Sequence, residues 1–178
     1  MEIATENLTS NSEHWASIDG YLNYQVSWWG RVVNTKTGRI LKPGASTHGY
    51  RYVILSKNGK HKIHYIHKLV AREWRANPDE RPCVDLVDND KTNNNHENLR
   101  WATLSENSRN MKKHKDGSSD FKGVSFAKVS GKWRARILLP GKQLHLGYFT
   151  SEREAAKVYN AAAVLHYKEF AKLNVFED

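Results

Sequence analysis

The feature that most constrains this chain is how often it is interrupted. Asn58-Gly59, Ser130-Gly131 and Pro140-Gly141 each sit between short alternating runs, and such pairs mark tight turns between antiparallel strands. Sustained helical spacing occurs near the end, where Ala155, Val158, Tyr159, Ala162 and Leu165 fall on one side of residues 151–167. A chain so punctuated folds as several small sheets with few helices.

Three modules follow from this punctuation. In the first, Tyr24-Gln25-Val26-Ser27 alternates, Gly30 interrupts, and Arg31-Val32-Val33-Asn34 resumes. A second strand pair is expected at residues 50–56 and 60–66, then a short helix over 67–74 with Leu69, Val70 and Trp74 on its buried side. Pro78 and Pro82 break that helix, and Cys83-Val84-Asp85-Leu86-Val87 reads as a strand. Residues 88–96 are too rich in Asp and Asn for anything but an ordered loop, and Thr103 or Ser105 is placed to cap a helix through Asn110. The last module has strands at 123–128, 132–138 and 143–149, and Ser151 with Glu154 has capping-box spacing ahead of the final helix. The fold class is therefore α+β. Its expected parts are a mobile tail (1–13), an N-terminal β motif (14–58), a central module (59–112), a linker (113–119) and a C-terminal sheet-and-helix domain (120–178).

Charge narrows the function. Lys and Arg number 28 against 19 Asp and Glu, a net +9, which points to a polyanionic partner. No apolar run is long enough to span a bilayer, and the first residues lack the basic start and apolar stretch of a secretory signal, so neither membrane insertion nor secretion is expected. A single cysteine, Cys83, forms no internal disulfide and supports no cysteine-based structural zinc site. Nucleic acid is the partner this balance favours.

The central residues Val84-Asp85-Leu86-Val87-Asp88-Asn89-Asp90-Lys91-Thr92-Asn93-Asn94, then Glu97-Asn98-Leu99-Arg100-Trp101, then Ser105-Glu106-Asn107, resemble an HNH homing endonuclease of the phage and intron type. The likeness extends upstream through His67-Lys68-Leu69-Val70-Ala71 to Pro82. It implies two strands and a helix around one divalent ion, Mg²⁺ or Mn²⁺, and cleavage of a phosphodiester in double-stranded DNA. By the same likeness Asp85 and Asn107 hold the ion and Asn98 braces the loop. Such a site suits the chemistry, because an anionic ester with a poor leaving group needs a hard cation on the phosphate and a base for water. One position departs from the family. Leu86 stands where the family has its general-base histidine, and leucine cannot accept a proton. The expectation is a nuclease architecture with impaired chemistry. The alternative is a DNA-binding regulator that no longer cuts.

The last module resembles the Apetala/ethylene-response-factor DNA-binding domain through Phe121-Lys122-Gly123-Val124-Ser125, Gly131-Lys132-Trp133-Arg134-Ala135-Arg136-Ile137, Leu144-His145-Leu146-Gly147-Tyr148-Phe149, Glu154-Ala155-Ala156-Lys157-Val158-Tyr159 and Phe170-Ala171-Lys172-Leu173-Asn174. The resemblance implies a three-stranded sheet laid into the major groove. Alternation independently puts Lys132, Arg134 and Arg136 on one face and Trp133, Ala135 and Ile137 on the other, with Gln143 and His145 opposite Leu144 and Leu146. Candidate DNA contacts are thus Lys122, Ser125, Lys132, Arg134, Arg136, Gln143 and His145. The opening module, with Tyr24-Gln25-Val26-Ser27 and Gly30-Arg31-Val32, is similar to a short motif attached to intron-encoded nucleases, and Arg31, Arg39 and Lys42 are its candidate phosphate contacts. A monomer in the cytoplasm of an infected or intron-bearing cell is expected.

Overall fold

A computed structural model describes residues 13–111 and 117–176. All of the expected mobile tail but Glu13, and most of the linker, lie outside the described residues. The described chain groups into two units, residues 13–77 with 91–100, and residues 78–90 with 101–111 and 117–176.

The first unit holds two small sheets and a helix. Strands β1 (Trp15–Ser17), β2 (Tyr24–Ser27), β3 (Val32–Asn34) and β4 (Arg39–Ile40) form a four-stranded sheet in sequence order. Its β2–β3 turn closes on Ser27, whose Oγ accepts from Arg31 N at 3.0 Å. Strands β5 (Gly44–Ala45), β6 (Arg51–Lys57) and β7 (Lys60–Tyr65) form a second antiparallel sheet, with Lys57 paired to Lys60 across the Asn58-Gly59 turn. Helix α1 (Ile66–Trp74) follows β7 directly and packs on β2, β6 and β7. Ile66, Leu69, Val70 and Ala71 join Val26, Val32, Val53 and Leu55 in the buried core, while Trp74 is half-buried rather than fully inside.

The second unit begins with β8 (Cys83–Leu86), which pairs with β9 (Leu99–Ala102), the strand within which the grouping changes. Helix α2 (Leu104–Asn110) packs on β8. Its start carries a complete capping box: Thr103 Oγ1 accepts from Glu106 N at 3.2 Å, and Glu106 Oε2 accepts from Thr103 N at 2.8 Å. At Ser151 only the hydroxyl half of the expected box forms, with Ser151 Oγ accepting from Glu154 N at 3.4 Å.

Strands β10 (Val124–Ala127), β11 (Lys132–Leu139) and β12 (Lys142–Phe149) form an antiparallel sheet in sequence order, covered by α3 (Glu152–Tyr167). The buried residues of α3 are Ala155, Ala156, Tyr159, Ala163 and Tyr167. The expected core position Leu165 is instead 71% exposed, because the two tyrosines, eight residues apart, set the inward face. Tyr159 lies so close to Gly123 that a Cβ there would stand 2.0 Å from its ring and 2.8 Å from Arg136 O, at a φ of +77°. Only glycine fits that crossing.

Candidate nuclease site and nucleic-acid face

Asp85 and Leu86 end β8, and both are buried, at 4% and 6% exposure. Burying a carboxylate is costly unless it is hydrogen-bonded. Asn110, at the end of α2 and itself buried, meets that need. Its Nδ2 lies 3.0 and 3.1 Å from the two Asp85 carboxylate oxygens and 2.9 Å from Leu86 O. Its Oδ1 accepts from Asn89 Nδ2 at 3.2 Å. One side chain thus fastens the strand end, its carboxylate and the following turn to the helix. Sequence reasoning missed Asn110, and its spacing from Asn107 was the available signal: residues three apart share a helix face. Asn107 therefore lies one turn back on the face that Asn110 turns to Asp85.

Helix α2 is held in place from outside as well. Arg81 Nη1 reaches Glu106 Oε2 at 3.3 Å and Arg81 Nη2 reaches Asp79 at 3.2 Å. Burial pushes the Glu106 carboxyl up, but the hydrogen bonds from Thr103 and the charges of Arg81 and Arg109 outweigh it and leave the carboxyl below its usual range. Arg109 lies over the Tyr167 ring at 5.1 Å, and Lys122 Nζ donates to Arg109 O at 2.5 Å and Met111 O at 2.7 Å. Lys122 is one of the candidate DNA contacts. Its ammonium is turned onto carbonyls at the end of α2, and burial followed by the charge of Lys172 brings its pKa down to about 8.

The donor chemistry can be tested against a metal. Asp85 offers carboxylate oxygens and Asn107 an amide oxygen, and among the described residues no group of three or more His, Cys, Asp or Glu is gathered. An all-oxygen set with so few protein ligands fits a hard cation that keeps water and takes phosphate oxygens, as Mg²⁺ does, and not a soft metal.

In the first unit, Asn98 Nδ2 donates to Asn93 O at 2.9 Å, a brace across the polar loop. Two histidines of this unit are held by packing. His96 stacks on Trp28 with ring centroids 5.3 Å apart and planes 5° apart. His67 is 5% exposed and flanked by Tyr50 and Tyr65, and burial, then Lys68, lowers its pKa to about 4. Trp28 also meets His14 and Trp74, whereas Trp29 remains 43% exposed. Among the candidate phosphate contacts, the Arg31 guanidinium forms an ion pair with Glu13 and lies 5.6 Å from the Trp15 ring centroid. Arg39 and Lys42 are exposed.

The C-terminal sheet presents a polar face of cross-strand pairs. Ser125 lies opposite Arg134, Arg136 opposite His145, and Leu138 opposite Gln143. Arg134 Nη2 reaches Ser125 Oγ at 3.4 Å, and Arg136 Nη1 donates to Gln143 Oε1 at 3.3 Å. Lys132 is exposed at the strand end. Strict alternation breaks at Leu146, an extra residue between the pairs Arg136–His145 and Ala135–Gly147. Gly147, at φ +134°, takes the backbone through this bulge. Beyond it the faces exchange. Tyr148 lies opposite Arg134 on the polar face, 50% exposed and 4.7 Å from the His145 ring, while Phe149 faces the core. Sequence alternation assigned Tyr148 no role, and Gly147 within a strand was the signal for a bulge.

Comparison with known proteins agrees with this geometry. The NUMOD4 motif matches residues 13–56. An uncharacterized HNH endonuclease, L245 of Acanthamoeba polyphaga mimivirus, is 40% identical over 85 residues, covering 48% of this chain and 26% of that protein. The DNA endonuclease I-HmuI of Bacillus phage SP01 is 40% identical over 98 residues, covering 54% and 56%. The solved structure of DNA binding and cleavage by the HNH homing endonuclease I-HmuI superposes with a TM-score of 0.52 at 29% identity, covering 81% of this chain and 82% of that one. The AP2-like ethylene-responsive transcription factor TOE2 of Arabidopsis thaliana matches in part, 43% identical over 47 residues, or 26% of this chain and 10% of that protein. The chain spans from about a quarter to about a half of the length of the curated endonucleases it matches. Among the described residues no helix is long and apolar enough to cross a membrane.

Proposed function

We propose that the chain acts as an HNH homing endonuclease, as its likeness to I-HmuI and to the mimivirus HNH endonucleases supports, that it binds duplex DNA as a monomer, and that it carries a phosphodiesterase site whose chemistry is impaired at Leu86. The observation that carries this reading is the buried Asp85 carboxylate fastened to α2 by Asn110 beside a buried Leu86. Asp85 and Asn107 would hold one divalent cation, Mg²⁺ or Mn²⁺. When bound, that ion supplies Lewis acidity at the scissile phosphate.

The chain's own residues do the rest. Asn110 keeps the carboxylate of Asp85 from turning, and the Thr103–Glu106 box keeps the start of α2 from fraying. Asn98 holds the loop between the strands. At position 86 no proton can be taken from water, and loss of a positioned base removes a factor of about 10² to 10⁴ in rate. The β10–β12 face, through Lys132, Arg134, Arg136, Gln143 and His145, supplies phosphate and base-edge contacts, with arginine suited to guanine. Arg39 and Lys42 add phosphate contacts from the first unit.

A second reading, a regulator that binds DNA without cutting, is favoured by Leu86 alone. Titration of a duplex with and without Mn²⁺ at fixed salt tests the site. The ion should tighten binding by the parent chain and leave Asp85→Asn unaffected, a variant that keeps an acceptor for Asn110. Equal tightening in both chains would remove Asp85 from the ion site. Preference for structured RNA over duplex would remove the substrate class.

A further inference from the structure

The polar face of the C-terminal sheet carries one large ring that phosphate binding does not explain. Tyr148 is 50% exposed there. Arg134 lies directly opposite it on β11, and Ser125 lies opposite Arg134 on β10, so Ser125, Arg134 and Tyr148 form one row across three strands. On its own strand Tyr148 meets the His145 ring, with centroids 4.7 Å apart and planes tilted by 57°. Directly opposite side chains of a sheet stand about 5 Å apart at Cβ, so the ring is flanked on two sides and open on the third.

Arg134 is set in place before anything binds. Its Nη2 reaches Ser125 Oγ at 3.4 Å, and its Nε is buried with no hydrogen-bond partner among the described residues. A guanidinium covered at Nε is approached from its Nη end, and such a fork suits O6 and N7 of guanine. Behind the face, Tyr159 of α3 closes on Gly123, which makes the sheet a rigid support for the side chains in front.

An arginine fork accounts for a guanine and leaves the ring beside it without an object. Base edges in the major groove offer donors, acceptors and one apolar group, the C5 methyl of thymine. Successive base pairs lie about 3.4 Å apart, close to the spacing of cross-strand neighbours. A ring next to a guanine-bound arginine therefore falls over the adjacent pair.

We infer that Tyr148 is a specificity-determining residue that reads the C5 methyl of a thymine in the base pair next to a guanine held by Arg134. The inference rests on the duplex binding proposed above and deepens it, because it names the base feature that the sheet selects. The bulge at Leu146 makes this possible: without the extra residue, Tyr148 would face the core.

The test starts from a random duplex library, from which the full parent chain selects its preferred duplexes. Each enriched thymine next to an enriched guanine is then replaced singly by deoxyuridine, which removes only the methyl. The parent is expected to lose about fourfold in affinity at one such position, the effect of one buried methyl. Tyr148→Ala should bind the thymine and deoxyuridine duplexes equally, and Tyr148→Gln takes its place if the alanine variant does not fold. Tyr148→Phe, which keeps the ring, should discriminate as the parent does. No loss in the parent at any thymine, an equal loss in parent and Tyr148→Ala, or selection of duplexes with no thymine beside guanine would overturn the methyl reading and leave the rest of the sheet face standing. Selection of no duplex by the parent would overturn the functional reading itself.

Discussion

The Asp85 end of β8 and the polar face of β10–β12 are both suited to DNA, and they are built by opposite rules. The first is buried: one carboxylate and two backbone carbonyls lie within hydrogen-bonding distance of a single amide nitrogen, that of Asn110. The second is open, and its cations sit side by side on exposed or half-exposed strands. A buried constellation has one solution, so a single replacement such as Leu86 is expected to end its chemistry while the fold persists. An exposed face is redundant, and it loses affinity by increments as its members are removed.

That contrast can be sharpened by substitutions of decreasing effect. Gly123→Ala places a methyl inside the Tyr159 ring at a positive φ, which is expected to cost about 3 kcal/mol or more. Urea denaturation should show the loss, and an unchanged midpoint would mean that Tyr159 moves freely and that this core is not the rigid support proposed.

The next effect follows from His67, whose pKa burial lowers to about 4 from its ordinary 6.5. Between those values the unfolded chain binds the extra proton, so stability rises with pH there. The contribution is fully present above about pH 6.5 and is lost as pH falls toward and through 4, by up to about 3 kcal/mol. Thermal melts from pH 4 to 7 should flatten in His67→Phe relative to the parent. Parallel curves would show that His67 is not held neutral by its surroundings.

Tyr148→Ala is the smallest, about 1 kcal/mol or some fivefold in duplex affinity, with no change in melting temperature. Because Tyr148 sits on the polar face only through the bulge at Leu146, retention of full affinity would show that DNA does not touch this part of the face.

The sequence made visible whatever local pattern dictates. The β6–β7 hairpin lies where Asn58-Gly59 indicates, and Lys132, Arg134 and Arg136 share a face because strands alternate. Strands as short as β5 leave too few residues to alternate. In α3 the alanines spread the apolar face so widely that Leu165 and Tyr167 were not distinguishable without the sheet beneath. Asn110 on Asp85, Lys122 on the α2 carbonyls and Glu13 on Arg31 are pairings between distant positions, and no window of residues contains both partners. Tyr148 changed faces because one inserted residue reverses everything after it. Motif spacing carried the resemblance to HNH endonucleases. Only the folded chain showed which side chains hold the motif's carboxylate still.

The most direct measurement is a supercoiled-plasmid nicking assay in Mg²⁺ or Mn²⁺, comparing the parent with Leu86→His. Restoring a base beside an otherwise complete oxygen site should raise the nicking rate by about 10² to 10⁴, and the gain should vanish when Asp85→Asn is added. A Leu86→His chain that stays folded, binds duplex DNA and nicks no faster than the parent would contradict the claim that a missing proton acceptor is what separates this site from a working nuclease.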